Sequence, residues 1–229
     1  MPKVTTHQEI GKRDYQQDAF YVGIQENLVA IADGHGMCGS EIAKEVIEMV
    51  KLSGCPPDEE SILNLFNKIH QTTKDFAFGG TTLSCVFSTS APNEFMAMQV
   101  GDSPIFWREN GVVKARYGHN AGRKDNPDYE QFLDKSFIQR KTRYIVSKDG
   151  RQLLNLTRSF ADPGFELIRT PDIFSFTADA VLVASDGYSG DEEEVEILFK
   201  YGCDAAGVAK EQESRRGIYD NFTAIVIYE

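Results

Sequence analysis

Residues Leu28 to Val46 read LVAIADGHGMCGSEIAKEV. The stretch opens as a continuous apolar run, breaks at Asp33-Gly34-His35-Gly36, and turns helical after Ser40. An apolar run without alternation suits a strand buried on both faces. Beyond Ser40, residues Ile42, Ala43, Val46, Ile47 and Val50 share one helical face, with Ser40 as the expected N-cap and Gly54 as the stop. A core strand therefore feeds an amphipathic helix through a turn that holds a carboxylate and an imidazole between glycines. Chain reversal alone does not require that histidine.

Working outward, "DAFYVGIQ" alternates Phe20, Val22 and Ile24 against Tyr21, Gly23 and Gln25, the pattern of a strand. "DEESILNLFNKIH" predicts a second helix with Ile62, Leu65, Phe66 and Ile69 facing inward. After Gly79-Gly80 strands return as "TTLSCVFS", "EFMAMQV", "PIFWRE" and "VVKARY", the last two joined by the hairpin dipeptide Asn110-Gly111. From about Gly118 to Arg151 the chain is polar and weakly periodic. Loop and short helix are expected there, as a candidate flap over a substrate. "AVLVAS" is a later buried strand, two helical stretches follow, and "TAIVIYE" is the closing strand. This order predicts sheets covered by helices. With no repeats and no linker, residues 1–229 are expected to form a single domain.

The chain has 229 residues, 41% of them hydrophobic, enough for a substantial core. Its formal net charge of -11 argues against gripping nucleic acid, which needs a basic face. The cysteines, Cys38, Cys55, Cys85 and Cys203, form no C-x-x-C pair and have no histidine at zinc spacing. Free thiols and a cytoplasmic location are expected. The polar N-terminus lacks the apolar core of a signal peptide, and no apolar run reaches the length of a membrane span, so no membrane partner is expected either.

The aspartate after the run at Leu28 has counterparts. "VLVASDG" ends on Asp186-Gly187, "AMQVGDS" ends on Gly101-Asp102, "NFTAIVI" begins just after Asp220, and "DAFYV" begins at Asp18. Any one of these reads most simply as a turn, because Asp-Gly is a common turn dipeptide. The set is harder to dismiss. In antiparallel strands the end of one lies beside the start of its neighbour, so these carboxylates can gather at one edge of a core. They would repel there without a cation. Oxygen-only ligands suit a hard ion such as Mg²⁺ or Mn²⁺, and two such ions can share a bridging carboxylate and acidify a water.

In order along the chain stand "RDYQQDAF", "IADGHG", "GGTTLSCV", "QVGDSPIFW", "LTRSFAD", "LVASDG" and "DNFTAIVI". On these segments, from about Gly11 to Ile227, the chain resembles the metal-dependent Ser/Thr protein phosphatases of the type 2C family. The resemblance implies an α+β fold, an α/β/β/α four-layer sandwich of two mainly antiparallel sheets flanked by helices. It implies two Mn²⁺ or Mg²⁺ ions, with Asp33 bridging them, the Gly34 carbonyl on one of them, and Asp186 and Asp220 completing the pair. Asp102 matches a ligand of a weak third ion. Asp18 matches an acid that orients the attacking water. Arg13 matches the phosphate-holding arginine, and His35 the general acid for the leaving alkoxide. The implied activity is hydrolysis of phosphoserine and phosphothreonine in a phosphorylated protein substrate, by a monomer.

The chain departs from the family pattern at a few positions. Gln17 stands where glutamate is usual. Gly190 stands where a second aspartate, a ligand of the third ion, often follows "SDG"; the adjacent Asp191 could take its place only if the turn after Asp186-Gly187 shifts by a residue. Met37-Cys38 lengthen the loop after Gly36, and Ala161 replaces a common glycine. Gln17 and Gly190 motivate the alternative, a catalytically weak, phosphatase-like regulatory or phosphoprotein-binding module.

Overall fold

The computed structural model describes residues 3–25, 27–56, 58–76, 78–118, 137–141, 144–147, 152–153, 159–161 and 171–228. One sheet runs in the order β1 (Lys3–Glu9), β15 (Phe222–Tyr228), β14 (Ala180–Ala184), β8 (Ile105–Glu109), β9 (Val112–Arg116). A second runs β13 (Asp172–Thr177), β7 (Glu94–Val100), β6 (Leu83–Ser88), β3 (Leu28–Ala32), β2 (Ala19–Gly23). All pairings in both are antiparallel. A two-stranded ribbon joins β4 (Gly34–Gly36) to β5 (Gly79–Thr81). The helices among the described residues are α1 (Gly39–Ser53), α2 (Glu59–Thr73), α3 (Glu192–Lys200) and α4 (Ala205–Arg215).

The continuous apolar runs follow from burial on both faces of a strand whose side chains alternate. In β3, Leu28, Ala30 and Ala32 pack with Ile42, Val46 and Ile69 of α1 and α2. The intervening Val29 and Ile31 join Val181 and Val183 of β14 and Ile225 and Ile227 of β15 between the sheets. The other faces of β14 and β15, with Leu182, Ala224 and Val226, pack on Val195, Leu198 and Val208 of α3 and α4. The order of layers is helices, sheet, sheet, helices, as the four-layer expectation required.

Local chemistry explains most boundaries. Asp58, Asp191 and Asp204 cap α2, α3 and α4, each side chain accepting a backbone N–H of the first turn. Gly54 ends α1 at φ 64°. Asn110 and Gly111 both take positive φ, 52° and 78°, in the β8–β9 hairpin.

Some expectations need correction. Ser40 is not the N-cap of α1; the helix begins at Gly39 with Cys38 in the capping position and no side-chain cap. The ribbon β4–β5 supplies the geometry there instead, since the Phe78 carbonyl accepts the Cys38 N–H. Ile24 lies beyond the end of β2 and is exposed, while Phe20 and Val22 pack inward. Within the segment expected to be loop and short helix, β10 (Phe137–Lys141) and β11 (Tyr144–Ser147) pair antiparallel, and β11 pairs with β12 (Gln152–Leu153). The remainder of the candidate flap lies outside the described residues. Among the described residues no helix is long and apolar enough to cross a membrane. All the cysteines are free thiols.

Candidate active site

The strand ends meet as antiparallel pairing requires. Ala19 pairs with Ala32, so Asp18, just before β2, and Asp33, just after β3, lie at the same edge. Ala184 pairs with Ala224, which brings Asp186 beside the entry to β15 and Asp220. The two sheets touch here, for the Asp186 N–H donates to Asp33 Oδ2 at 3.4 Å. Asp102, at the turn after β7, belongs to the same group, because its charge and those of Asp186 and Asp18 all act on Asp33.

This crowding sets the electrostatics. Asp33 keeps some contact with solvent, yet it is surrounded by protein. That desolvation, with the charges of Asp186, Asp18 and Asp102, holds its carboxyl well above the ordinary range. Burial first, and then Asp186, raises Asp102 in the same way. Asp18 is buried and pushed up to about 7, chiefly by burial, against the opposing effect of the Thr223 hydroxyl on Oδ2 at 2.7 Å. The Ser185 hydroxyl acts in the same direction as Thr223, and among the described residues the buried Oδ1 has no hydrogen-bond partner. A buried carboxylate oxygen of that kind marks a place for a water or an ion.

Arg13 meets this negative charge directly. Its Nε donates to Asp220 Oδ1 at 2.7 Å and its Nη2 to Oδ2, a two-pronged ion pair. Asp186 and Asp33 add to the field that stabilises its charge. Asn221 braces the loop that carries Arg13. Its amide donates to the Ile10 and Tyr15 carbonyls at 3.1 Å each, and its Oδ1 accepts the Gln17 N–H at 2.8 Å.

His35 sits in β4 opposite Gly80. Its Nε2 lies 2.8 Å from Ser159 Oγ, and Ser159 is fully buried beside the bridge between Thr81 and Phe160. The Asp33 backbone is held by Thr81 Oγ1 donating to its carbonyl at 3.0 Å and by its own N–H donating to Thr82 Oγ1 at 3.1 Å. Gly34 admits no side chain, because a Cβ would stand 2.3 Å from the Gly39 carbonyl and 2.7 Å from that of Gln17. Sequence reading singled out neither Ser159 nor Thr82. The only signal for them was their place inside "LTRSFAD" and "GGTTLSCV".

The departures acquire physical content. The Gln17 side chain donates to the Gly36 carbonyl at 2.6 Å, a bond no carboxylate can make. Asp191 caps α3, its Oδ1 accepting the Glu194 N–H at 3.1 Å. A Cβ at Gly190 would lie 2.2 Å from the Tyr188 hydroxyl, which leaves no room for a side chain unless that ring moves. Ala161 takes φ 65°, a glycine conformation.

All the expected carboxylates thus converge on one edge, with Arg13 on Asp220. Among the described residues no three His, Cys, Asp or Glu side chains form a group set to hold an ion. The donor chemistry nevertheless fits a hard cation: oxygen ligands only, mutually repelling, with one oxygen of Asp18 orphaned.

A family model described as "Protein phosphatase 2C" matches residues 6–220. No curated protein matches the chain. Among solved structures, the chain resembles the catalytic domain of the serine threonine protein phosphatase PstP in complex with two manganese ions. The TM-score is 0.69 at 20% identity, covering 99% of this chain and 97% of that one. It also resembles the Mycobacterium tuberculosis serine/threonine phosphatase PstP/Ppp, with TM-score 0.69, 20% identity and coverage of 99% and 98%. For the S. agalactiae serine/threonine phosphatase the values are 0.73, 15%, 100% and 99%. At these identities the likeness speaks for the fold.

Proposed function

Because the chain belongs to the protein phosphatase 2C family, we propose that it hydrolyses phosphoserine and phosphothreonine monoesters in proteins with the help of bound divalent cations. The observation that carries this reading is the convergence of Asp18, Asp33, Asp102, Asp186 and Asp220 on one edge, beside Arg13. Asp33, the Gly34 carbonyl, Asp186 and Asp220 are the residues to hold a pair of Mn²⁺ or Mg²⁺ ions, and Asp102 a weaker third. When bound, such ions offset the phosphate charge and make a water more acidic.

The chain's own residues do the rest. Arg13, with planar two-pronged donors, binds the non-bridging phosphate oxygens. Asp18, buried with its Oδ1 turned to no hydrogen-bond donor among the described residues, accepts a hydrogen bond from the attacking water and orients it. The water oxygen bonds to phosphorus and gives up a proton to solvent, the bond from phosphorus to the serine or threonine oxygen breaks, and the protonated His35 gives its proton to the departing alkoxide and regains one from solvent. Ser159 holds the imidazole for that transfer. Inorganic phosphate and the free hydroxyl side chain are the products.

The rival reading, a catalytically weak regulatory module, rests on Gln17 and Gly190. Gln17 has a structural task at Gly36, and the packing around Gly190 bears only on the third ion. The test is phosphate release from phosphothreonine and phosphoserine peptides in Mn²⁺. Turnover that stops on chelation and returns with Mn²⁺ supports the enzyme. Peptide binding without release, at any metal concentration, supports the rival.

A further inference from the structure

Two highly exposed apolar residues are neighbours just outward of His35 on the β4–β5 ribbon. In the β4–β5 ribbon His35 pairs with Gly80 and Gly36 with Gly79. The next residues outward are Met37 and Phe78, joined by the Met37 N–H donating to the Phe78 carbonyl at 2.7 Å. Met37 is 73% exposed and Phe78 is 72% exposed. Leu52 at the end of α1 and Val112 in β9 are exposed too, but single apolar residues on a surface are ordinary. An adjacent pair beside a catalytic loop is not.

Phe78 adds a second observation. Its φ is 67°, in the left-handed region that costs a residue with a side chain about 1–2 kcal/mol. The exposed ring gains little burial to offset this. The backbone is held by its neighbours: the Phe78 carbonyl accepts both the Met37 and Cys38 N–H groups, and a Cβ at Gly36 would stand 2.8 Å from it. Strain kept at an exposed aromatic beside a site points to use of that side chain.

Resting on the phosphatase reading, we propose that Met37 and Phe78 seat a hydrophobic side chain of the phosphoprotein substrate, one or two residues from the phosphorylated one. Two residues along the ribbon from His35 is about 7 Å. Neighbouring residues of a bound peptide, roughly 3.8 Å apart between Cα atoms, cover the same span. A polypeptide whose phosphate lies at Arg13 and His35 has its adjacent side chains at this rim. The chain's net charge of -11 gives no general attraction for an anionic phosphorylated segment, so apolar contact is the complementary source of affinity.

The test uses two phosphothreonine peptides of equal charge, flanked on both sides by Leu in one and by Asn in the other, with p-nitrophenyl phosphate as a small control. The parent enzyme in Mn²⁺ is expected to favour the Leu peptide by about tenfold in kcat/KM, equivalent to about 1.4 kcal/mol. Met37→Ser and Phe78→Asn are each expected to lower turnover of the Leu peptide alone. Asparagine tolerates positive φ, so the second variant keeps the fold. A parent without preference, or variants that slow all substrates equally, would overturn the proposal. A parent that hydrolyses none of the three would overturn the phosphatase reading itself.

Discussion

The Arg13 guanidinium and the Asp220 carboxylate form a two-pronged ion pair across the candidate site, with Nε on Oδ1 at 2.7 Å and Nη2 on Oδ2. The same two groups have separate proposed tasks, one on phosphate and one on a cation. Arg13 therefore competes with the cation for Asp220. Arg13→Ala should bind Mn²⁺ more tightly than the parent in a calorimetric titration, while its KM for phosphopeptide rises about tenfold or more. Weaker Mn²⁺ binding in the variant would show that the pair supports the metal site and does not compete with it.

Asp18 makes the metal-free protein sensitive to pH. Its carboxyl is raised from 3.8 to about 7, so folding favours its protonated form. Ionisation in the fold is penalised above about pH 7, and the penalty is relieved as pH falls toward 4, by about 1.4 kcal/mol per pH unit at most. In chelator, the parent is expected to gain stability between pH 7 and pH 5 relative to Asp18→Asn, which lacks the titrating group. Thermal melts of both proteins at the two pH values check this. Parallel shifts in parent and variant would remove Asp18 as the cause.

Gln17 donates to the Gly36 carbonyl, next to His35. Gln17→Glu restores the residue usual in the family but sets two acceptors against each other. It also adds negative charge near Asp18 and Asp33. Turnover is expected to fall about tenfold, equivalent to about 1.4 kcal/mol in the barrier. Higher turnover would mean that Gln17 is a deficit of this chain and that the strut is incidental.

Ala161 at φ 65° is strained where glycine is not. Ala161→Gly relieves about 1 kcal/mol, less the small loss of a buried methyl and the greater chain entropy of glycine. An unchanged or slightly raised melting temperature, within a few degrees, is expected. A fall of several degrees would mean that the methyl's packing outweighs the strain.

Much of this architecture is visible in the sequence, for identifiable reasons. β3, β14 and β15 show as continuous apolar runs because both faces are covered. α2 shows through its apolar face, Ile62, Leu65, Phe66 and Ile69. β1 and β13 escaped notice because they are edge strands, half-exposed and partly polar. The β4–β5 ribbon is largely glycine, and backbone pairing without side chains leaves no periodicity to read. The site carboxylates stand out because each interrupts the end of an apolar strand. The bonds that Gln17, Asn221 and Ser159 make do not, since they join residues far apart in sequence and depend on the completed fold.

In the proposed reaction the strand-end carboxylates hold the metal that hydrolysis needs. The most direct measurement is phosphate release from a phosphothreonine peptide across a Mn²⁺ titration, for the parent and for Asp33→Asn and Asp186→Asn, each checked for fold by circular dichroism. Both variants are expected to fold, to remain at least as stable as the parent in chelator because a crowded charge is gone, and to lose at least about a hundredfold in turnover at all Mn²⁺ concentrations. Near-parental turnover in both folded variants, or a parent whose activity is indifferent to Mn²⁺, would contradict this reading.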